Sequence, residues 1–424
     1  MASTVPSAHP DPASVSRNIV LGVTGGIAAY KACHVVRGFT ERGHSVRVVP
    51  TESALNFVGA ATFEALSGNP VAVSVFDRVE EVQHVRVGQN ADLVVIAPAT
   101  ADLMAKLAIG RADDLLTATC LVATCPVVLA PAMHTEMWNH PATRANVEIL
   151  RSRGVTVLEP AHGRLTGPDT GPGRLPEPQQ IIDLALLRLA ENELPRDLNG
   201  RRILITAGGT RENIDPVRYL GNRSSGRQGF ALAEVAVQRG AKVTLVAGSV
   251  DELPVPCGAE LVRVSSAREL DEEVRTRADV HDVIIMAAAV ADYRPTDVAP
   301  VKLKKTGATA LTNLELTENP DILAGLVADR LAGKLREDTV IVGFAAETGD
   351  DAATALDHAV QKIRRKGCDL LMCNDVGSGK VFGRSRNRGW LITPDGVATD
   401  VPDGTKFEVA SRILDFVSRI TSGR

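Results

Sequence analysis

The sequence predicts an α/β protein made of two Rossmann-like three-layer domains with mainly parallel sheets. Short, near-continuous apolar runs alternate with amphipathic helical patterns, and strands that are apolar on every residue belong in parallel sheets covered on both faces. The alternation runs through the chain twice, and each series opens on a Gly-rich connection from strand to helix. With 424 residues, 44% of them hydrophobic and 23% charged, the chain has the length for two or three domains and the apolar content for a core in each.

Residues 1–16 are rich in Ser, Pro and Ala and are expected to be disordered. The first domain is expected over 17–196. Its strands are "NIVLGVT" (18–24), "HSVRVVP" (44–50), "ADLVVIAPA" (91–99), "PVVLAPAM" (126–133) and "VTVLEP" (155–160). Helical patterns such as Ala28–Glu41 and Arg144–Arg153 lie between them, with Gly43 and Gly154 where helix C-caps belong. A Gly/Pro-rich segment, 162–178, reads as a mobile lid, and a helical stretch, 179–192, follows it. "ELPRDLNG" (193–200) reads as a linker. The second domain, 197–424, repeats the pattern with "RRILITAGG" (201–209), "AKVTLVAG" (241–248), "DVIIMAAAV" (282–290), "TVIVGFAAE" (339–347) and "CDLLMCND" (368–375). It closes on a hairpin with a Pro-Asp-Gly turn, "WLITPDGVATDV", and a final helix.

Composition narrows the function. A net charge of −4 supplies no global basic field to attract a nucleic acid, and 3% aromatic residues leave few stacking platforms. No apolar run reaches membrane-spanning length, and no secretory pattern precedes the first strand. The six cysteines (33, 120, 125, 257, 368 and 373) form no CxxC pair, so buried thiols of a cytoplasmic protein are expected.

Ligands of open α/β sheets bind beyond the carboxyl ends of the strands. In the first half, Gly25, Gly26 and Ile27 form a turn that lets backbone N–H groups approach a phosphate, although an ordinary βα turn reads the same way. Pro98 and Ala99 end the third strand, and Thr100 is placed to cap the next helix. "APAMHTEMW" (130–138) ends the fourth strand similarly, so two Ala-Pro-Ala ends make a flat floor for a planar ring. His84, in "VQHVRV", stands just ahead of the strand that begins at Asp92.

In the second half, "GGTRENIDPVRYLGNRSSGRQG" (208–229) is too long for a simple turn; Ser224, Ser225 and Gly226 precede a helix and can donate to an anion there. "MAAAVADYRPTDVAPVKLKK" (286–305) begins as a core strand and ends in charge. Asp292 beside Lys302, Lys304 and Lys305 suits a nucleoside triphosphate with Mg²⁺, the alternative being a solvated charge run. Lys362 and Lys366 fall on one face of a helix leading into a strand.

His84, "APATADL", "ADDLL" and "PAM.TEMW" together resemble the homo-oligomeric flavin-containing cysteine decarboxylases. The resemblance implies FMN held by Gly25, Gly26, Ile27, Pro98, Ala99 and Thr100, in trimers with each site at a subunit interface. It makes His84 the base: the thiol must be oxidised to a thioaldehyde before the carboxylate can leave, and a proton is removed in that step. Two positions depart from the pattern. His134 stands where the family has the Asn that holds the substrate carboxylate. Thr166 is nearest the place of the family's flap cysteine, the acid of the final reduction.

"GGTREnIDPVRylgNrSSGrqG", "AAVADYRP", "KLKK", "NPDIL", "GFAAET" and "KIRRKgcDLlmcND" resemble the CTP-dependent phosphopantothenate–cysteine ligases of bacteria. The whole chain therefore resembles the bifunctional phosphopantothenoylcysteine decarboxylase/phosphopantothenate–cysteine ligase family of coenzyme A synthesis. That resemblance implies CTP held by Ala288, Asp292, Lys302, Pro320, Asp321, Ile322, Leu323, Phe344, Lys362 and Lys366. Asn222 would lie at the activated acyl group, Ser224, Ser225 and Gly226 on the substrate, and Mg²⁺ mainly on the CTP phosphates. It also implies ligase dimers, which with decarboxylase trimers combine into a dodecamer. Two rivals are weighed: a ligase joined to an inactive regulatory flavoprotein, and an NAD(P)-dependent reductase, which the missing GxGxxG disfavours.

Overall fold

The computed structural model describes residues 15–71, 83–165, 169–191, 193–304, 313–347, 353–375 and 386–423. The chain divides into two compact units, Met1–Glu193 and Leu194–Arg424.

The first unit carries a five-stranded parallel sheet of β1 (Asn18–Val23), β2 (Ser45–Pro50), β3 (Leu93–Ala99), β4 (Val127–Pro131) and β5 (Thr156–Val157), in the order β2-β1-β3-β4-β5. This is a flavodoxin-like order, and its topological switch point lies between β1 and β3. Every residue of β3 is buried, which its unbroken apolar run demands. The helices are α1 (Ala32–Thr40), entered through the 3-10 turn Ile27–Lys31, α2 (Ala60–Ser67), α3 (Gln83–Gln89), α4 (Ala101–Ile109), α5 (Leu115–Val122), α6 (Thr135–Asn139), α7 (Pro141–Ser152) and α8 (Pro178–Ala190). Val94, Ile96, Leu103, Leu116, Leu129 and Trp138 share one core cluster.

His84 lies on α3, just ahead of β3 as the sequence reading placed it. One element differs from that reading. The Gly/Pro-rich segment contains an antiparallel hairpin, β6 (Ala161–Arg164) with β7 (Thr170–Arg174). Propensity argues against Gly and Pro in strands; here the missing side chains of Gly171 and Gly173 let β7 lie directly on the start of α6, as described below.

The second unit carries an eight-stranded sheet in the order β12-β11-β8-β13-β16-β17-β18-β19. Its strands are β8 (Arg202–Ala207), β11 (Lys242–Ala247), β12 (Glu260–Arg263), β13 (Val283–Met286), β16 (Val340–Glu347), β17 (Leu370–Asp375), β18 (Arg386–Ile392) and β19 (Ala398–Thr405). The pairs are parallel as far as β17 and antiparallel beyond it. The first six strands take the order of dinucleotide-binding sheets, whose switch point is between β8 and β13. Two antiparallel pairs stand outside the sheet: β9 (Arg211–Asn213) with β10 (Tyr219–Gly221), and β14 (Tyr293–Pro295) with β15 (Leu316–Glu318). The helices are α9 (Arg227–Gln238), α10 (Ala267–Ala278), α11 (Ile322–Leu331), α12 (Ala355–Lys366) and α13 (Lys406–Ser422). Thr405 and Glu408 form a reciprocal capping box that starts α13.

The strand read over 282–290 leaves the sheet at Met286, and Ala289 bridges to Gly209 instead. The linker is not free along its length. Asp197 receives Arg239 Nη2 at 2.5 Å, Leu198 N–H donates to the Arg239 carbonyl, and Arg239 also reaches Asp415 of α13. Arg239 is wholly buried, and two carboxylates balance its charge.

Two candidate active sites at the sheet switch points

At the first switch point Thr24 joins the ends of β1 and β3. Its buried hydroxyl donates to the Pro98 carbonyl at 2.8 Å and accepts from Thr100 N–H at 3.2 Å. Thr100 caps α4, accepting from Leu103 N–H at 3.4 Å. Ala99 pairs with Pro131, so the two Ala-Pro-Ala ends are neighbours. A Cβ on Gly25 would lie 2.6 Å from Ser53 Oγ, and Ser53 Oγ is 3.0 Å from Thr51 Oγ1. Only a glycine lets the turn come this close to the hydroxyl pair. Hydroxyls beside bare N–H groups fit an anion such as a flavin's phosphate. Gly25, Pro98, Ala99 and Thr100 are thus gathered at the switch. Thr24 belongs to the turn the sequence reading named, whereas Thr51 and Ser53 were missed; the "TES" after the second strand was their signal.

His134 holds the residue before α6 and is exposed, and its carbonyl accepts from Trp138 N–H at 3.0 Å. The hairpin lies against this segment. Met133 N–H donates to the Gly173 carbonyl at 2.9 Å, and a Cβ on Gly173 would overlap the Met133 oxygen. Gly171 presses equally closely on Thr135, whose buried hydroxyl has no hydrogen-bond partner among the described residues. Glu177 Oε1 receives Lys31 Nζ at 2.9 Å and Arg174 Nη2 at 2.7 Å, which ties the end of β7 to the turn after Gly26. The His84 side chain and Thr166 lie outside the described residues.

At the second switch point Gly208 has φ +80°, and a Cβ there would stand 2.5 Å from the Ser249 carbonyl. Ala288 N–H donates to Thr206 Oγ1 at 3.1 Å and Ala291 N–H to Thr210 Oγ1 at 2.9 Å. Asn222 Nδ2 donates to the Val290 carbonyl at 2.8 Å, which brings Asn222 beside the segment of Ala288 and Asp292. α9 starts at Gly226, φ +76°, without a side-chain cap, and Ser224 Oγ accepts from Gly226 N–H at 3.4 Å. The first-turn N–H groups of α9 therefore remain open to a ligand. Asp292 is exposed, and its carbonyl accepts from Asn319 N–H at 2.8 Å, just ahead of Pro320.

Asp321 caps α11 through Ala324 N–H at 3.1 Å and pairs with Lys366. Burial would raise the Asp321 carboxyl, but the Lys366 ammonium and the Ala324 amide outweigh it and hold the group below the ordinary carboxylate range. Lys362 Nζ meets Glu347 at 2.7 Å, at the end of β16. Ile322 is buried with half-buried Leu323 packed against the same core cluster, and Phe344 is half-buried on β16. Lys302 is exposed and makes no ion pair among the described residues, whereas Lys362 and Lys366 each hold a carboxylate. Lys305 lies outside the described residues. Among the described residues no three His, Cys, Asp or Glu side chains are grouped to hold a metal ion, and no helix is long and apolar enough to cross a membrane. Burial pushes the Cys120 thiol up to about 12 and Cys368 up to about 11, well outside the range of reactive thiols.

The Flavoprotein family matches residues 7–189, and the family described as DNA/pantothenate metabolism flavoprotein C-terminal domain matches residues 198–420. The coenzyme A biosynthesis bifunctional protein CoaBC of Mycobacterium bovis is 58% identical over 410 residues, spanning 96% of this chain and 98% of its own length. The chain belongs to the coenzyme A biosynthesis bifunctional protein family. Its relatives of the same name include those of Mycolicibacterium smegmatis, 59% identical over 96% of this chain and 98% of that one, and Bacillus subtilis, 41% identical over 96% and 98%. Among solved structures, the C-terminal domain of a CoaBC protein is 37% identical, covering 54% of this chain and all of that one with a TM-score of 0.44. The FMN-dependent cysteine decarboxylase SpaF is 37% identical over 41% of this chain and 98% of that one, TM-score 0.36. Within this family the first half is the flavoprotein half, and the β1/β3 and β8/β13 switch points fall in different units.

Proposed function

We propose that this chain joins cysteine to 4′-phosphopantothenate and then decarboxylates the 4′-phosphopantothenoylcysteine it has made, two consecutive steps of coenzyme A synthesis. The observation that carries the reading is identity with bifunctional relatives from end to end, 58% across 96% of the chain, so both halves are retained together. We assign ligation to residues 197–424 and decarboxylation to residues 17–196.

In ligation the substrate carboxylate attacks the α-phosphorus of CTP, pyrophosphate leaves, and the cysteine amine displaces CMP from the acyl-cytidylate. A carboxylate resists nucleophiles, and the mixed anhydride supplies its leaving group. Lys302 stabilises the charge that develops on phosphate, and its lack of a carboxylate partner among the described residues leaves it ready for that role. Lys362 and Lys366 meet the remaining phosphate charge after exchanging Glu347 and Asp321 for it. Mg²⁺ enters with the triphosphate. Asn222 holds the acyl group, and Ser224, Ser225 and the start of α9 hold the substrate.

In decarboxylation FMN, when bound, supplies the two-electron sink that lets the cysteinyl carboxylate leave. The residues there fit it: the close turn at Gly25 and the hydroxyls of Thr51 and Ser53 would hold its phosphate, and Pro98, Ala99 and Thr100 would hold its ring. His84 takes the proton as the thiol is oxidised. His134, with two nitrogens, donates a hydrogen bond to the substrate carboxylate in place of an amide. We read the assembly as a cytoplasmic dodecamer of trimers joined through dimers.

The test is one mixture of purified chain, 4′-phosphopantothenate, Mg²⁺, CTP and cysteine. CMP, pyrophosphate and CO₂ are expected in equal amounts. No CMP refutes the ligase reading. CMP without CO₂ favours the alternative of an inactive flavoprotein half, which His134 in place of Asn and the missing flap cysteine speak for.

A further inference from the structure

The segment "IDPVR" (214–218) lies in the connection from β8 to α9, and the function as read gives it no role. It contains Asp215, whose side chain is fully buried. A buried carboxylate must be matched by hydrogen bonds or countercharge. Asp215 has five: Val217 N–H and Arg218 N–H to Oδ1 at 2.8 Å each, and Arg218 Nε at 2.9 Å, Arg218 Nη2 at 2.5 Å and Leu303 N–H at 3.2 Å to Oδ2. The same Arg218 Nη2 donates to the Leu303 carbonyl at 2.9 Å.

Leu303 stands between Lys302 and Lys304. Both its backbone groups, the N–H and the carbonyl, are therefore held by one fork-on-carboxylate pair 85 and 88 residues away in sequence. A second tie, Ala299 N–H to the Ile214 carbonyl at 3.0 Å, anchors the loop four residues earlier. Leu303 is half-buried while Lys302 and Lys304 are exposed, so gripping the middle residue fixes where the flanking ammonium groups emerge. An exposed lysine otherwise has wide rotamer freedom and a loop backbone to move with it.

We propose that Asp215, acting with Arg218, is a positioning residue of the ligation reaction, setting the backbone of the lysine loop so that Lys302 meets the phosphate charge that develops as the acyl-cytidylate forms. The inference rests on the reading of Lys302 given above. It requires Asp215 to work on kcat through Lys302. A misplacement of about 1 Å costs roughly 100-fold in a reaction that depends on placed charge.

The experiment measures CMP release by the full-length protein and its variants Asp215→Asn, Lys302→Gln and the double variant. Decarboxylation of supplied phosphopantothenoylcysteine in the same preparations reports on the integrity of the chain. Asp215→Asn is expected to lower kcat for CMP formation about 10- to 100-fold with KM for CTP within about threefold and decarboxylation unchanged. The double variant is expected to be no slower than Lys302→Gln alone, because a residue that acts through another adds nothing once that other is gone. Should Asp215→Asn not fold, Arg218→Lys, which keeps the charge but not the fork, replaces it with the same expectations. If Lys302→Gln is slow but Asp215→Asn is not, or if the two losses multiply, the positioning role is wrong while the Lys302 reading stands. If Lys302→Gln is itself unimpaired, both are overturned.

Discussion

Replacing Gly173 by alanine isolates the contribution of the β6–β7 hairpin. Gly173 has φ +138°, a region essentially reserved for glycine, and forcing an L-residue into it costs about 1–3 kcal/mol. The new Cβ would also overlap the Met133 carbonyl oxygen, a backbone atom that cannot rotate aside. Relief requires the hairpin to lift, which gives up the Met133 N–H to Gly173 carbonyl bond of 2.9 Å. The backbone strain alone shifts the balance away from the docked arrangement by about 1–3 kcal/mol, or roughly 5- to 150-fold at 1.4 kcal/mol per tenfold, and the overlap adds to it. The segment that loses its cover contains His134, so the loss should fall on decarboxylation. The assay is CO₂ release from supplied phosphopantothenoylcysteine, with CMP formation in the same sample as the control. At least a tenfold fall in the first with the second unchanged is expected. Decarboxylation within twofold of the unmodified protein would refute the idea that the hairpin must sit on Met133–Thr135 for turnover.

His84→Asn is expected to keep its flavin absorbance and release no CO₂; normal turnover would remove His84 as the base. Asp321→Asn bears on acid stability. The Asp321 carboxyl is held below its ordinary value, so the pairing with Lys366 stabilises the fold above the ordinary carboxylate range and is lost as pH falls through the depressed value. Urea midpoints of the unmodified protein, followed by tryptophan fluorescence, should therefore drop below about pH 4 more steeply than those of the variant. Parallel curves would mean that the pair contributes nothing to the linkage.

Much of the fold was legible because it is written in local periodicity. The run at 91–99 had to be a strand buried on both faces, Thr100 had to cap what followed, and both are found. The helical spacing of Lys362 and Lys366 placed them on one face, and each does reach a carboxylate. Which carboxylates they reach could not be read, since Glu347 and Asp321 belong to different elements brought together only by the sheet. The hairpin of β6 and β7 was hidden for another reason. Its residues have poor strand propensity, and it forms because Gly171 and Gly173 let its backbone meet the Thr135 side chain and the Met133 carbonyl.

The sequence by itself determined the alternating α/β pattern, the two Gly-rich openings, the capping of α4 and the residues gathered after each strand. Those features depend on neighbours within a turn or two of helix or a few residues of strand. Only the tertiary structure decided that Ser53 meets Gly25, that Glu177 joins Lys31 to Arg174, and that Asp215 and Arg218 grip Leu303. Each of these joins groups 28 or more residues apart—except the Arg174 arm—and such pairings follow from how the sheet orders its strands, which no local pattern encodes.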